Sequence, residues 1–182
     1  LTSVEYCLKN TLLLSSLDEV ILATSNLEQD SLLSNYKYSD NVVFFQGSAD
    51  DVLDRYLTVA NQRQIDVVLR ITADMPFVDD EIFKILLKSH FDSGADYTSA
   101  TKAAPGTNLE IINTNALARV KSFFPSAPHS EYLTWYFRNN PNYFRLNIVD
   151  LPVELVRDYR LTLDYKEDLE LFDKIENHFK ND

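Results

Sequence analysis

Short, nearly continuous apolar runs alternate along the chain with stretches in which apolar residues recur every three or four positions. The runs Asp18–Ser25, Asn41–Phe45, Asp66–Thr72, Asp96–Ala100, Glu110–Asn113 and Arg160–Asp164 predict strands. The helical spacing predicts helices over Val4–Leu14, Ser48–Arg63, Val78–His90, Asn115–Ser122, Ser130–Asn139 and Lys166–Phe179. Ser48-Ala-Asp-Asp51 has the residues of a helix start, with Ser48 as N-cap and Asp51 at the third helical position. Asp66–Thr72 is rich in β-branched residues and too apolar to be half exposed. The expected fold is therefore α/β: three layers, α/β/α, with a mainly parallel central sheet covered on both faces.

A chain of 182 residues fits one domain, 1–182. The loop Lys102–Asn108 and the segment Phe124–His129 hold half of the six prolines, and they border a small cap or dimerisation subdomain at about 102–141. The aromatics Phe123, Phe124, Tyr132, Trp135, Tyr136 and Phe137 fall in that region, either as core or as the interface of a homodimer.

Charge narrows the partners. A net charge of −11 argues against nucleic acid, whose phosphates reward basic faces, but it admits a nucleotide when a cation mediates. No run of about 18 apolar residues predicts a membrane span. The single cysteine, Cys7, excludes an internal disulfide framework and suits a reducing, cytoplasmic setting. His90, His129 and His178 lack zinc-ligand spacing. No Gly-x-Ser-x-Gly elbow occurs, and Gly47, Gly94 and Gly106 are too scattered for a phosphate loop.

Carboxylates at strand ends carry the chemistry. Asp74 follows the third run and is stopped by Pro76; Asp164 follows the last run. Ligands of open parallel sheets bind at the carboxyl ends of strands, where two such carboxylates suit a hard cation, Mg²⁺, sharing it with phosphate oxygens. Each has a simpler reading: Asp164 caps the last helix, with Glu167 three residues on, and Asp74 satisfies a turn. Arg70 lies within a strand, where a charge must be paired or face a ligand. Arg55 lies four residues after Asp51, the spacing of an intrahelical salt bridge. Aspartates two residues apart, common in glycosyltransferases of similar topology, do not occur.

The strings "GSADDVLDRY" (Gly47–Tyr56), "DVVLRITADMPFVD" (Asp66–Asp79) and "RLTLDYKEDLEL" (Arg160–Leu171) resemble the SpsF-type cytidylyltransferases, relatives of the CMP-Kdo and CMP-sialic acid synthetases. "DEVILATS", "NLEI" (Asn108–Ile111) and "EYLTWYFRNNP" (Glu131–Pro141) match in the same order. The resemblance implies a nucleotidyltransferase-like, Rossmann-like fold in which CTP and a sugar or sugar acid give a CMP-sugar and pyrophosphate, with Mg²⁺, for surface or spore-coat polysaccharide. It implies Asp74 and Asp164 as the metal and catalytic aspartates. Ser48, Asp51, Arg55, Arg70 and Thr72 then belong to nucleotide-lining segments, and Glu110 and Glu131 face the sugar.

The chain departs from that pattern at several points. The family's opening strand and its loop with Arg and Gly-Lys have no counterpart before Leu1; Ala73 replaces Gly, Asn108 replaces Asp, and Ser130-Glu131-Tyr132 replaces Arg-Glu-His. The missing strand would be central, leaving unpaired edges and exposed apolar surface. The expectation is a piece of a longer enzyme, with a degenerate non-catalytic nucleotide-sugar-binding domain as the alternative.

Overall fold

The computed structural model describes residues 1–125 and 132–179. The elements are α1 (Ser3–Leu12), β1 (Val20–Ser25), a 3-10 stretch (Glu28–Tyr36), β2 (Val42–Gly47), α2 (Val52–Arg63), β3 (Val67–Arg70), α3 (Asp80–Ser93), β4 (Tyr97–Thr101), β5 (Glu110–Asn113), α4 (Thr114–Phe123), α5 (Leu133–Arg138), β6 (Leu146–Asp150) and α6 (Lys166–Phe179). Glu110–Asn113 and Lys166–Phe179 form as the sequence predicts, and most other elements differ by a few residues at their ends.

Capping chemistry fixes the helix boundaries. Thr2 and Glu5 form a reciprocal capping box at α1, and Asp79 accepts the Ile82 N–H at 2.8 Å to open α3. α3 ends at Gly94, whose φ of 59° is left-handed. Ser48, predicted as the N-cap of α2, instead accepts the Asp51 N–H at 3.0 Å in the turn before the helix. The cap is Asp51, accepting from the Asp54 N–H at 2.8 Å, because a carboxylate also gains from the positive end of the helix dipole.

The sheet is in two pieces. β1 and β2 pair in parallel from Val20 opposite Val42 to Ser25 opposite Gly47. The other four strands lie in the order β3-β5-β4-β6. β4 and β6 are parallel, whereas β5 runs antiparallel to both β3 and β4, so β3, β4 and β6 share one direction. Adjacent residues of β5 face opposite cores: Ile112 packs with Leu53, Leu117 and Phe137, and Ile111 with Ile82, Phe83 and Leu86. Both faces are thus buried under helices, which is the three-layer arrangement the sequence predicts. A smaller core of Leu8, Val20 and Val42 joins α1 to the β1–β2 pair.

Arg160–Asp164, predicted as a strand, joins no ladder. Its amides bond a loop and a turn instead: Leu161 N–H to the Pro105 carbonyl at 2.7 Å and Leu163 N–H to the Asp74 carbonyl at 2.8 Å. The edge beside β4 is taken by β6, an element the sequence reading did not foresee. The predicted helix at Ser130–Asn139 is present as Leu133–Arg138, its first residues lying outside the described ones.

β1 and β3 do not pair with each other. Between them lies a cleft of about 1020 Å³, lined by residues 20–23 of β1, residues 67–70 of β3 and side chains of α1, α2 and α3.

Candidate functional site

β3 delivers Arg70 and then the turn Thr72–Met75, closed by the Met75 N–H bonding the Thr72 carbonyl at 3.0 Å. Asn10 of α1 donates to the Pro76 carbonyl at 2.6 Å and pins the far side of the turn. The turn is closed by backbone alone, so Asp74 is not its capping residue. Among the described residues the half-buried Asp74 carboxylate has no hydrogen-bond donor or ion-pair partner.

Asp164 is not the cap of α6 either. Asp168 accepts the Asp164 N–H at 2.9 Å and the Tyr165 N–H at 2.8 Å, and also pairs with Arg160. The backbone bond from Asp164, with those from Tyr165 and Arg160, holds the Asp168 carboxyl below the usual range. Asp164 itself takes Arg160 at 2.6 Å and the Thr162 hydroxyl at 2.7 Å, both on Oδ2. Among the described residues, Oδ1 has no hydrogen-bond partner.

The 2.8 Å bond from Leu163 to the Asp74 carbonyl therefore places the two predicted carboxylates on adjoining segments. Two aspartates with open oxygens are chemically suited to a hard cation that keeps waters and phosphate oxygens as its other ligands. Among the described residues no group of three or more His, Cys, Asp or Glu could form an all-protein cage. Cys7 lies 3.9 Å from the Thr72 carbonyl; burial, reinforced by nearby Asp74, lifts its thiol to about 11 and makes it inert.

The residues expected to line the nucleotide are only partly gathered. Arg55, Arg70 and Thr72 line the cleft beside β3. Ser48 adjoins them through its carbonyl, which accepts from Arg55 Nε at 3.0 Å and Nη2 at 2.7 Å. This bond replaces the Arg55–Asp51 salt bridge predicted from spacing, because Asp51 turns away to Lys121 of α4. The Asp51 hydrogen bond raises the Lys121 ammonium.

Arg70 and Glu110 face each other in register across β3 and β5 and form a mostly buried ion pair. The Tyr97 hydroxyl donates to Glu110 Oε1 at 2.5 Å, and the Thr134 hydroxyl reaches the same oxygen from α5. Burial works against the Arg70 guanidinium, yet the charge of Glu110 leaves it raised. Burial, then Glu110, raises the Tyr97 phenol. Glu110, expected to face the sugar, thus has both oxygens engaged inside the protein. Glu131, also expected to face the sugar, lies outside the described residues. Tyr97, Thr134, Arg160 and Thr162 were not singled out from sequence. Only Arg160 carried a usable signal, its position four residues before Asp164.

Comparison with known proteins converges on one family. The Cytidylyltransferase family model matches residues 2–180. The spore coat polysaccharide biosynthesis protein SpsF of Bacillus subtilis (strain 168) is 35% identical over 157 residues, 84% of this chain and 65% of the relative, so the chain spans about two thirds of that relative's length. A cytidylyltransferase structure from Leptospira borgpetersenii superimposes with a TM-score of 0.86 at 25% identity, covering 98% of this chain and 76% of that one. CMP:2-keto-3-deoxy-manno-octonic acid synthetase complexed with CTP gives a TM-score of 0.68 at 11% identity, with 97% and 88% covered, a likeness of fold.

Proposed function

Because this chain belongs to the cytidylyltransferase family, we propose that the whole protein joins CTP to a sugar or sugar acid, giving a CMP-sugar and pyrophosphate for surface polysaccharide. The observation that carries this reading is the Leu163–Asp74 hydrogen bond, which brings the segments of Asp74 and Asp164 side by side. Asp74 and Oδ1 of Asp164 would hold Mg²⁺, which supplies charge neutralisation at the triphosphate. Arg160 and Thr162 orient Asp164 by occupying its other oxygen. A sugar oxygen attacks the α-phosphorus, the bond from that phosphorus to the bridging oxygen breaks, and pyrophosphate leaves.

The cleft beside β3 is the proposed nucleotide site, with Arg55, Arg70 and Thr72 on its wall. We also place a homodimer contact at α4 and α5, where Phe123, Tyr132 and Trp135 are exposed, as is the adjacent Tyr143. Among the described residues no helix is long and apolar enough to cross a membrane. The buried lone thiol suits a cytoplasmic protein.

The test is pyrophosphate release by the whole protein with each of CTP, UTP, GTP and ATP, Mg²⁺ and a panel of sugars and sugar acids. CTP-selective release supports the proposal. Nucleotide binding without release with any sugar would instead support the non-catalytic alternative, which the open cleft within these 182 residues also accommodates.

A further inference from the structure

The segment Arg160–Asp164 carries one of the two candidate metal ligands, yet no strand ladder holds it. Its main-chain anchors are Leu161 N–H to Pro105 and Leu163 N–H to Asp74. In an extended segment, residues two apart present their amides to the same edge. The loop around Pro105 and the turn carrying Asp74 therefore flank one edge of the segment, and the loop sets how the segment approaches Asp74.

The loop is built to be rigid. The Thr107 hydroxyl and N–H each bond the Ala104 carbonyl at 2.9 Å, and Ala104, Gly106 and Thr107 are buried. Asn108 ties the loop's end to β4, accepting from the Ala100 N–H at 3.2 Å and donating to the Ser99 hydroxyl at 3.1 Å. Gly106 has φ of 94°, and a Cβ there would lie 2.3 Å from the Leu161 carbonyl oxygen and 2.4 Å from its carbon. Those are backbone atoms with no side-chain freedom to move aside, so a side chain at 106 must push the segment away.

We propose that the Lys102–Asn108 loop is a clasp that positions Asp164 against Asp74, with Gly106 as the positioning residue. The metal part of this inference rests on the function proposed above. Gly106 acts through Leu161 and Leu163.

Two readouts on the purified protein test it. One is amide hydrogen exchange at Leu163, with Ile111 and Ile112 of β5 as a check that the core is intact. The other is Mn²⁺ binding, followed by the electron paramagnetic resonance signal of the free ion. In Gly106→Ala, Leu163 exchange should rise on the order of tenfold with β5 unchanged. Mn²⁺ affinity should fall by about tenfold, the low end for loss of a group that orients ligands. If Gly106→Ala does not fold, Thr107→Val loosens the same loop by one hydrogen bond and should shift both readouts in the same direction. Unchanged Leu163 protection in a folded variant overturns the clasp. Wild type that binds no Mn²⁺ overturns the metal reading alone, because Leu163 exchange still decides the clasp.

Discussion

Arg70 and Glu110 stand directly opposite each other on β3 and β5, and their side chains form an ion pair that is mostly out of water. The pair joins the strand that leads to Asp74 to an inner strand of the four-stranded sheet. Tyr97 and Thr134 complete the Glu110 side, so four elements meet at one carboxylate.

Removing one partner leaves a buried charge. Glu110→Ala is expected to cost roughly 3–5 kcal/mol of stability, because Arg70 loses its counter-ion while still desolvated. Replacing both residues by apolar ones of similar size should recover much of that loss. Urea midpoints of wild type, Glu110→Ala and the double variant check this. A single-variant loss below about 1 kcal/mol, the scale of an exposed pair, would show that the pair is effectively solvated.

His90 predicts a pH dependence. Its Nδ1 lies 2.8 Å from the Thr98 hydroxyl and its Nε2 lies 3.3 Å from Asn113 Oδ1. The Asn113 amide nitrogen donates to the Ala95 carbonyl, so its oxygen accepts and Nε2 carries the proton of a neutral ring. Burial holds the folded-state pKa below the ordinary 6.5, although the Asn113 bond and Asp96 oppose it. Between the two values the unfolded chain binds more protons, so stability falls as pH drops from about 6.5 through the folded value. Melting temperatures from pH 7.5 to 5 should decline for wild type and less steeply for His90→Gln. Parallel curves would refute the assignment.

Asp51 serves two elements, capping α2 and pairing with Lys121 of α4. Asp51→Ala should cost about 1–2 kcal/mol, mostly the lost cap. Asp51→Ser, which caps but carries no charge, should restore most of it, as thermal melts will show. If Asp51→Ser is as unstable as Asp51→Ala, the Lys121 pair outweighs the cap.

The layers were legible in the sequence because apolar runs such as Asp18–Ser25 and Asp66–Thr72 alternate with stretches of helical spacing. The direction of β5 was not, since pairing sense leaves no mark on composition. Arg160–Asp164 has the alternation of a strand, yet tertiary contacts at Pro105 and Asp74 take its amides, so local propensity gave the wrong element. Asp74 and Asp164 could be nominated from their places after apolar runs. Arg55 and Glu110 could not be placed, because their partners, Ser48 and the Arg70–Tyr97–Thr134 group, depend on side-chain direction in three dimensions.

Under the proposed function, Asp74 holds the catalytic cation. Asn keeps the size of the side chain, and the turn at Thr72–Met75 closes through backbone atoms, so Asp74→Asn should leave the melting temperature within a degree or two. Loss of a metal ligand beside a reacting phosphate removes several kcal/mol of charge stabilisation, on the order of 10²–10³ or more in rate. The deciding measurement is pyrophosphate release from CTP by the whole protein, wild type against Asp74→Asn, across a Mg²⁺ titration. The predicted result is Mg²⁺-dependent turnover in wild type and its near-complete loss in a fully folded Asp74→Asn. Equal turnover in the two proteins would contradict it.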